Sequence, residues 1–384
     1  MLIPLTIPTF TKEMEDAAVN TLHNEMLVGG ESVYSFEDDF AKYIGTDYAV
    51  AVNSGSSALL LTFYSLDMKP RDKVLTPSAT FVATVNGPLI LGGVPVFCEI
   101  GEDYLMSLES MEQAMIINEH VKYMIPVHLY GHPCDMGGII DFAQDKGVVI
   151  VEDAAQAHGA TYKGRKMGCF GEAAIFSFYP TKNMTVCGDG GMITTNNKKI
   201  CESAMKMRDV GRVTKYTHDK IAYTLRLNSI NAAIGRIQLK QLDEWNEKRR
   251  ALAEMYNKKL SGVGDLILPP SPDTNTIPVY HMYVIRTKQR NALGAWLSMN
   301  GVSTGVHYPK PVHRQPAYQV YQNRIDLSFT DQWSDTVLSI PIYPGLDHKD
   351  QGYVIEMIKQ FYDNRLYESK KIKEAEQAWS KKLV

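Results

Sequence analysis

Short apolar, β-branched runs recur through the first half of the chain, at residues 48–52, 73–76, 94–97, 123–127 and 148–151, with helical patterns between them. Runs this short and this apolar are buried on both faces, as the strands of a parallel sheet are. The gaps leave room for crossover helices such as 56–66 and 137–146, which makes the expected fold α/β with helices on both faces of the sheet. A further pair of runs, 174–178 and 191–195, belongs to the same sheet, so a mainly parallel core of seven strands is expected. From 228 to 260 apolar residues fall at helical spacing (Ile234, Ile237, Leu239, Leu242, Trp245), predicting one long connecting helix. The passage Pro269-Pro270-Ser271-Pro272 follows, and then mixed strand and helix signals at 282–286, 291–300 and 349–367. A chain of 384 residues is long enough for two domains, read here as 1–260 and a smaller α+β unit, 261–384. The charged stretch after Tyr367 is expected to be a frayed helix.

A formal net charge of −3 with no basic run is not the footprint of a nucleic-acid or anionic-membrane binder, so small molecules are the expected partners. The five cysteines form no C-x-x-C pair, which suits reduced thiols and offers no zinc set; no metal is expected. No apolar run approaches the ~20 residues needed to span a bilayer, and the first residues lack a charged stretch followed by an apolar one. A cytoplasmic location is the expectation.

Four segments carry chemistry. The strand at 148–151 runs into Glu152-Asp153-Ala154-Ala155-Gln156, and ligands of open α/β sheets bind beyond the carboxyl ends of strands. An Asp there either caps a helix or pairs with a basic ring nitrogen, keeping it protonated and electron-withdrawing. Next, Phe176-Ser177-Phe178-Tyr179-Pro180-Thr181-Lys182 leaves a strand for a loop presenting one lysine. A lone lysine is usually a solvated surface group, but a tethered, desolvated one is what condensation with a carbonyl requires. Ser177 precedes it and can turn its hydroxyl to a phosphate. Third, Asn53-Ser54-Gly55-Ser56-Ser57 passes from strand to helix, and its serines are either plain N-caps or part of an anion cradle at the helix N-terminus. Fourth, Phe81 follows a strand, placed either in the core or against a flat ring. A metal-dependent hydrolase built on His128 and His132 is a poor rival, because Pro133 follows at once and no H-E-x-x-H helix is present.

Taken in order, these segments resemble the sugar aminotransferases of the DegT/DnrJ/EryC1 family, a branch of the aspartate aminotransferase fold (fold type I). The resemblance extends through Gly29-Gly30, Pro126-Val127-His128-Leu129-Tyr130-Gly131, Gly188-Asp189-Gly190-Gly191, Ala232-Ala233-Ile234-Gly235, His307-Tyr308-Pro309 and Leu338-Ser339-Ile340-Pro341-Ile342-Tyr343-Pro344-Gly345, covering nearly the whole chain. It implies pyridoxal 5′-phosphate (PLP) as cofactor, with Lys182 as the Schiff-base lysine, Asp153 on the pyridine nitrogen and Gln156 on the phenolic oxygen. It further implies Phe81 on the ring face, and Gly55, Ser56, Ser57 and Ser177 on the phosphate. Arg226, His307, Tyr308 and His313 become candidates for the sugar-nucleotide site. Thr224 stands where many relatives carry an asparagine that reaches the phosphate across a dimer interface, and Asp189 replaces a frequent glutamate. Lys182 stands where dehydrating relatives carry histidine, which argues against that branch.

The implied activity is a ping-pong transfer of an amino group from an amino acid, L-glutamate being the expected donor, to a keto-sugar, in a homodimer with shared active sites. Residues 228–235 look more like the branch acting on nucleotide-linked 4-keto-6-deoxy sugars than the 3-keto branch. A 3-keto acceptor, or a PLP-binding sensor without a catalytic cycle, are the alternatives.

Overall fold

The apolar runs of the first half form one sheet. The strands in chain order are β1 (Tyr48–Val52), β2 (Lys73–Pro77), β3 (Val94–Cys98), β4 (Val121–Met124) and β5 (Val149–Asp153), the small hairpin β6 (Thr161–Tyr162) and β7 (Arg165–Lys166), then β8 (Ala173–Ser177) and β9 (Gly191–Thr195). In the computed structural model, which describes residues 2–321 and 325–381, seven of these pair in the order β1-β9-β8-β5-β4-β2-β3. All run parallel except β9, which is antiparallel to both neighbours. A parallel return needs a crossover of about a dozen residues or more, usually helical. The 178–190 link holds no helix, so β9 comes straight back beside β8. β4 stops at Met124, two residues into the predicted run 123–127, because Pro126 has no N–H to give the ladder; its carbonyl still accepts from Asp153 N at 2.9 Å.

Helices cover both faces. On one, Phe36 and Phe40 project into an aromatic cluster with Phe176 and Phe178, with centroids 4.9 to 6.0 Å apart. The predicted connecting helix is a single element, Ser229–Leu260, started by Asn228, whose side chain accepts from Asn231 N at 2.9 Å. Beyond it, the strands Tyr283–Arg286 and Val337–Ile340 pair antiparallel and carry the helices Arg290–Met299 and His348–Asp363. The start of the chain is stitched into this part: Ile3 N donates to Gly301 O at 2.7 Å, and Ser303 N to Ile3 O at 2.8 Å. Among the described residues no helix is long and apolar enough to cross a membrane.

The charged tail differs from its expectation. Instead of fraying, Lys370–Ser380 is a helix docked on Arg290–Met299, with Ile372 and Trp379 buried. Only glycine fits opposite the indole: a Cβ on Gly294 would lie 2.4 Å from the Trp379 ring. Two apolar residues at helical spacing among lysines and glutamates are enough to anchor the element. Trp379→Ala is therefore expected to cost about 3–5 kcal/mol, read as a lower midpoint in denaturant or thermal unfolding; an unchanged midpoint would contradict the docking.

Candidate active site

The carboxyl ends of β1, β2, β5 and β8 open onto a cavity of about 570 Å³. Its anion-binding corner is made by contact too close for side chains. The helix Gly55–Ser65 begins at Ser54, whose hydroxyl accepts from Ser57 N at 3.1 Å. A Cβ on Gly55 would lie 2.9 Å from Ser177 Cβ, and one on Gly191 would lie 2.4 Å from the Ser54 carbonyl. Glycine at both positions thus presses the start of this helix against β8 and β9. The N–H groups of Gly55 and Ser56, in the first turn, have no helical acceptor and carry the positive end of the dipole. Ser56 and Ser177 line the same corner.

Lys182 sits on the β8–β9 link and is held from behind. Its N–H donates to Tyr179 O at 2.8 Å, while the Asn183 amide donates to Asn246 Oδ1 at 2.8 Å and Val279 O at 2.9 Å. Thr185 donates its hydroxyl to Phe178 O at 2.9 Å. The loop is thereby pinned to the long helix, and the lysine faces the cavity. Loss of solvent lowers its pKa to about 8, against a partial upward pull from Asp153. Buried imidazoles share this wall: His281 and His307 are both pushed down by burial and by the positive lysine, His307 to about 4.

The two carboxylates at the end of β5 point opposite ways, as strand alternation requires. Glu152 faces the protein. Burial acts to raise its pKa, but hydrogen bonds from His128 (3.2 Å) and from the N–H groups of Gly168 (2.8 Å) and Gly171 (2.9 Å) hold it below the ordinary range. Cys134 N donates to the other ring nitrogen of His128 at 3.1 Å, so both His128 nitrogens are engaged. Asp153 faces the cavity, and burial raises its pKa even though Thr84 donates to Oδ2 at 2.7 Å and Ala155 N to Oδ1 at 3.1 Å. Gln156 is fixed at both ends: its carbonyl accepts from Tyr130 N at 2.7 Å, and its amide donates to the Tyr308 hydroxyl at 3.3 Å. Phe81, 51% exposed, stands at the cavity edge with its ring centroid 5.5 Å from that of Tyr308.

The cavity gathers Gly55, Ser56, Phe81, Asp153, Gln156, Ser177, Lys182, His307 and Tyr308 from the sequence candidates. Ser57, Arg226 and His313 do not line it. The Ser57 hydroxyl donates to Asn53 Oδ1 at 2.6 Å, just ahead of the helix start. Arg226 pairs with Asp209 at 2.5 Å. His313 Nδ1 and Ser78 Oγ are hydrogen-bonded at 2.7 Å and Nε2 meets Asp331 at 3.0 Å, which pins the segment bearing Phe81. Thr80, Thr84, Thr181 and His281 line the cavity without having been singled out; Thr80 and Thr84 flank Phe81 in Thr80-Phe81-Val82-Ala83-Thr84, and that proximity was the available signal.

The model of the DegT/DnrJ/EryC1/StrS aminotransferase family matches residues 8–359. The chain is 38% identical over 351 residues to dTDP-3-amino-3,4,6-trideoxy-alpha-D-glucose transaminase of Streptomyces venezuelae, covering 91% of this chain and 92% of the relative. It is 33% identical over 352 residues to dTDP-3-amino-3,6-dideoxy-alpha-D-galactopyranose transaminase of Aneurinibacillus thermoaerophilus, covering 92% and 96%. Among solved structures, S. venezuelae DesV in complex with a ketimine intermediate superposes with a TM-score of 0.87 at 38% identity, covering 91% of this chain and 94% of that one.

The lysine's depressed pKa is directly measurable in the cofactor-free chain. Reductive methylation of Lys182 by formaldehyde, followed peptide by peptide, is expected to rise with pH through a midpoint near 8. Asp153→Asn should move that midpoint lower still, because the carboxylate raises it; a midpoint at the ordinary lysine value would contradict the desolvated setting.

Proposed function

Because the chain belongs to the DegT/DnrJ/EryC1/StrS aminotransferase family, we propose that it moves an amino group from L-glutamate to the 3-keto carbon of a nucleotide-linked sugar by a ping-pong sequence. It is a sugar aminotransferase of fold type I, and its cofactor is PLP. The observation that carries the residue-level reading is the convergence, on one cavity, of a desolvated lysine, a strand-end carboxylate and an unpaired helix N-terminus. These fit the cofactor's three chemical features: an aldehyde for the amine, a basic ring nitrogen for the acid and a phosphate for the helix start.

When bound, PLP supplies the electron sink that lets an amino group leave one carbon and join another. The chain's own part is positioning and proton transfer. Lys182, with a pKa near 8, is read as the nucleophile that holds the cofactor and, once displaced, as the base and acid that moves the substrate's proton. Asp153 is read as the partner that keeps the ring nitrogen protonated, and Gln156 as a donor to the phenolic oxygen. Gly55, Ser56 and Ser177 are read as the phosphate cradle, and Phe81 as the cover of one ring face. His281, His307 and Thr181 offer neutral polar groups to the carboxylates of a donor or the hydroxyls of a sugar. The ping-pong order is supported by this cavity being lined, among the described residues, by one lysine, Lys182, for both substrates to use in turn.

The C3 position is supported by the two relatives named above, whose names place the amino group there. The resemblance of 228–235 to the 4-amino branch loses force once its side chains are followed. Asn228 caps the long helix, Ser229 donates its hydroxyl to Met26 O at 2.6 Å, and Gly235 abuts Phe36, so this stretch serves packing. We further infer a homodimer, supported by apolar side chains left in solvent at Tyr216, Ile221 and Tyr223.

Two measurements test the proposal. Lys182→Ala is expected to abolish multiple turnover, on the order of 10⁴-fold or more, as removal of a covalent and proton-moving group does; a variant that still turns over would remove Lys182 from its role. A panel of dTDP-linked 3-keto and 4-keto sugars, with glutamate, glutamine and aspartate as donors, is expected to give turnover with the 3-keto series and glutamate. Turnover with 4-keto sugars alone would overturn the C3 assignment.

A further inference from the structure

As a carboxylate, Asp153 can only accept hydrogen bonds. The Thr84 hydroxyl therefore donates to Oδ2 at 2.7 Å, which spends its only proton. The 2.7 Å contact between the hydroxyls of Thr80 and Thr84 then has one possible sense, with Thr80 donating and Thr84 accepting. Both threonines are buried, at 3% and 1% exposure, and both line the cavity. The result is a hydroxyl chain polarised toward the acid, and a donor in such a chain is strengthened by the one behind it. Ala155 N holds the other carboxylate oxygen at 3.1 Å. The remaining groups acting on Asp153 are Lys182 and His128 from two neighbouring segments, with Tyr308 facing it from a third.

We propose that Thr84, backed by Thr80, is a positioning residue that keeps Asp153 charged and aimed, and so decides on which side the proton shared with the cofactor's ring nitrogen resides. This rests on the reading of Asp153 given above. Inside a buried site an ion pair, carboxylate with pyridinium, competes with a neutral pair, carboxylic acid with pyridine. The two differ by one proton: an N–H bond breaks, an O–H bond forms, and nothing is gained or lost. Each hydrogen bond donated to the carboxylate favours the charged side. Removing the Thr84 hydroxyl shifts the proton to Asp153 and weakens the electron sink. Phe81 lies between the two threonines, so the same pair fixes the turn that carries the ring-covering aromatic.

The experiment uses holoenzyme loaded with PLP carrying ¹⁵N in its ring, with the ¹⁵N chemical shift as readout beside kcat. Wild type is expected in the pyridinium range. Thr84→Val, close in shape to threonine, should shift toward unprotonated pyridine and lose about tenfold to a hundredfold in kcat, the range expected for one hydrogen bond to a charged group. Thr84→Ser should restore both readouts, and Thr80→Val should move them in the same direction by less. If Thr84→Val does not fold, judged by circular dichroism, Thr80→Val carries the same test from one hydroxyl further out. A wild-type shift in Thr84→Val, or in Thr80→Val where that variant is the test, overturns the proposal. An unprotonated ring nitrogen in wild type instead strikes the reading of Asp153 itself, and the role of Thr84 falls with it.

Discussion

The contact between Gly191 and the Ser54 carbonyl, where a Cβ would come within 2.4 Å, is the constraint on which the site depends. It exists because β9 is inserted antiparallel between β1 and β8, so that the start of β9 lies beside the end of β1. That one reversal closes the β8–β9 link over the sheet edge, and the link carries Lys182. It also sets the helix start at Gly55 against Ser177, at the end of β8. The anion cradle and the lysine are thus two consequences of the same strand insertion. A side chain at either glycine would push the cradle away from the strand that delivers the lysine.

The electrostatics follow from depth. Three buried groups facing the cavity are drawn toward their neutral forms: Lys182 and His307 downward, Asp153 upward. Such a site is expensive to assemble and useful once assembled, because a lysine near pH 8 can both give and take a proton at neutral pH, as one near its ordinary value cannot. The structure withholds full neutralisation from Asp153 by aiming donors at both of its oxygens. Lysine and aspartate also support each other's charge across the cavity, which limits how far either can move.

Much of this was legible in the sequence, and what was not has physical causes. Buried strands announce themselves by β-branched runs, and a strand running into acids or into a loop with one lysine marks the sheet edge where ligands bind. Gly55, Ser56, Asp153, Gln156, Ser177 and Lys182 therefore fell where the cavity is. Ser57 did not, because two positions into a helix its side chain turns back to Asn53. Arg226 and His313 are polar residues with partners of their own, Asp209 in one case and Ser78 with Asp331 in the other, and no local pattern reveals a partner distant in the chain. The tail misled for a different reason: mean charge obscured two buried anchors, Ile372 and Trp379, whose meaning depends on Gly294 opposite. Asn183 escaped notice because its value lies in reaching Asn246 and Val279, which only the folded chain brings near.

The adjacent acids of β5 show how a sheet separates structure from chemistry within one dipeptide. The sequence reading singles out Asp153, and the structure supplies the physical reason why its neighbour Glu152, also a carboxylate at the strand end, serves otherwise. Alternation sends them to opposite faces, and their surroundings then diverge. Glu152 meets backbone N–H groups and the His128 ring, and serves as an internal anchor for 168–171. Asp153 meets the Thr84 hydroxyl, the Ala155 N–H and the open cavity, and keeps capacity to accept further donors from that side. A one-residue slip of β5 would exchange the two, turning Glu152 away from His128 and the 168–171 N–H groups and Asp153 away from Thr84, so that both acids lose their donors. The many hydrogen bonds on Glu152 therefore do more than hold a loop: they lock the register that aims Asp153 outward.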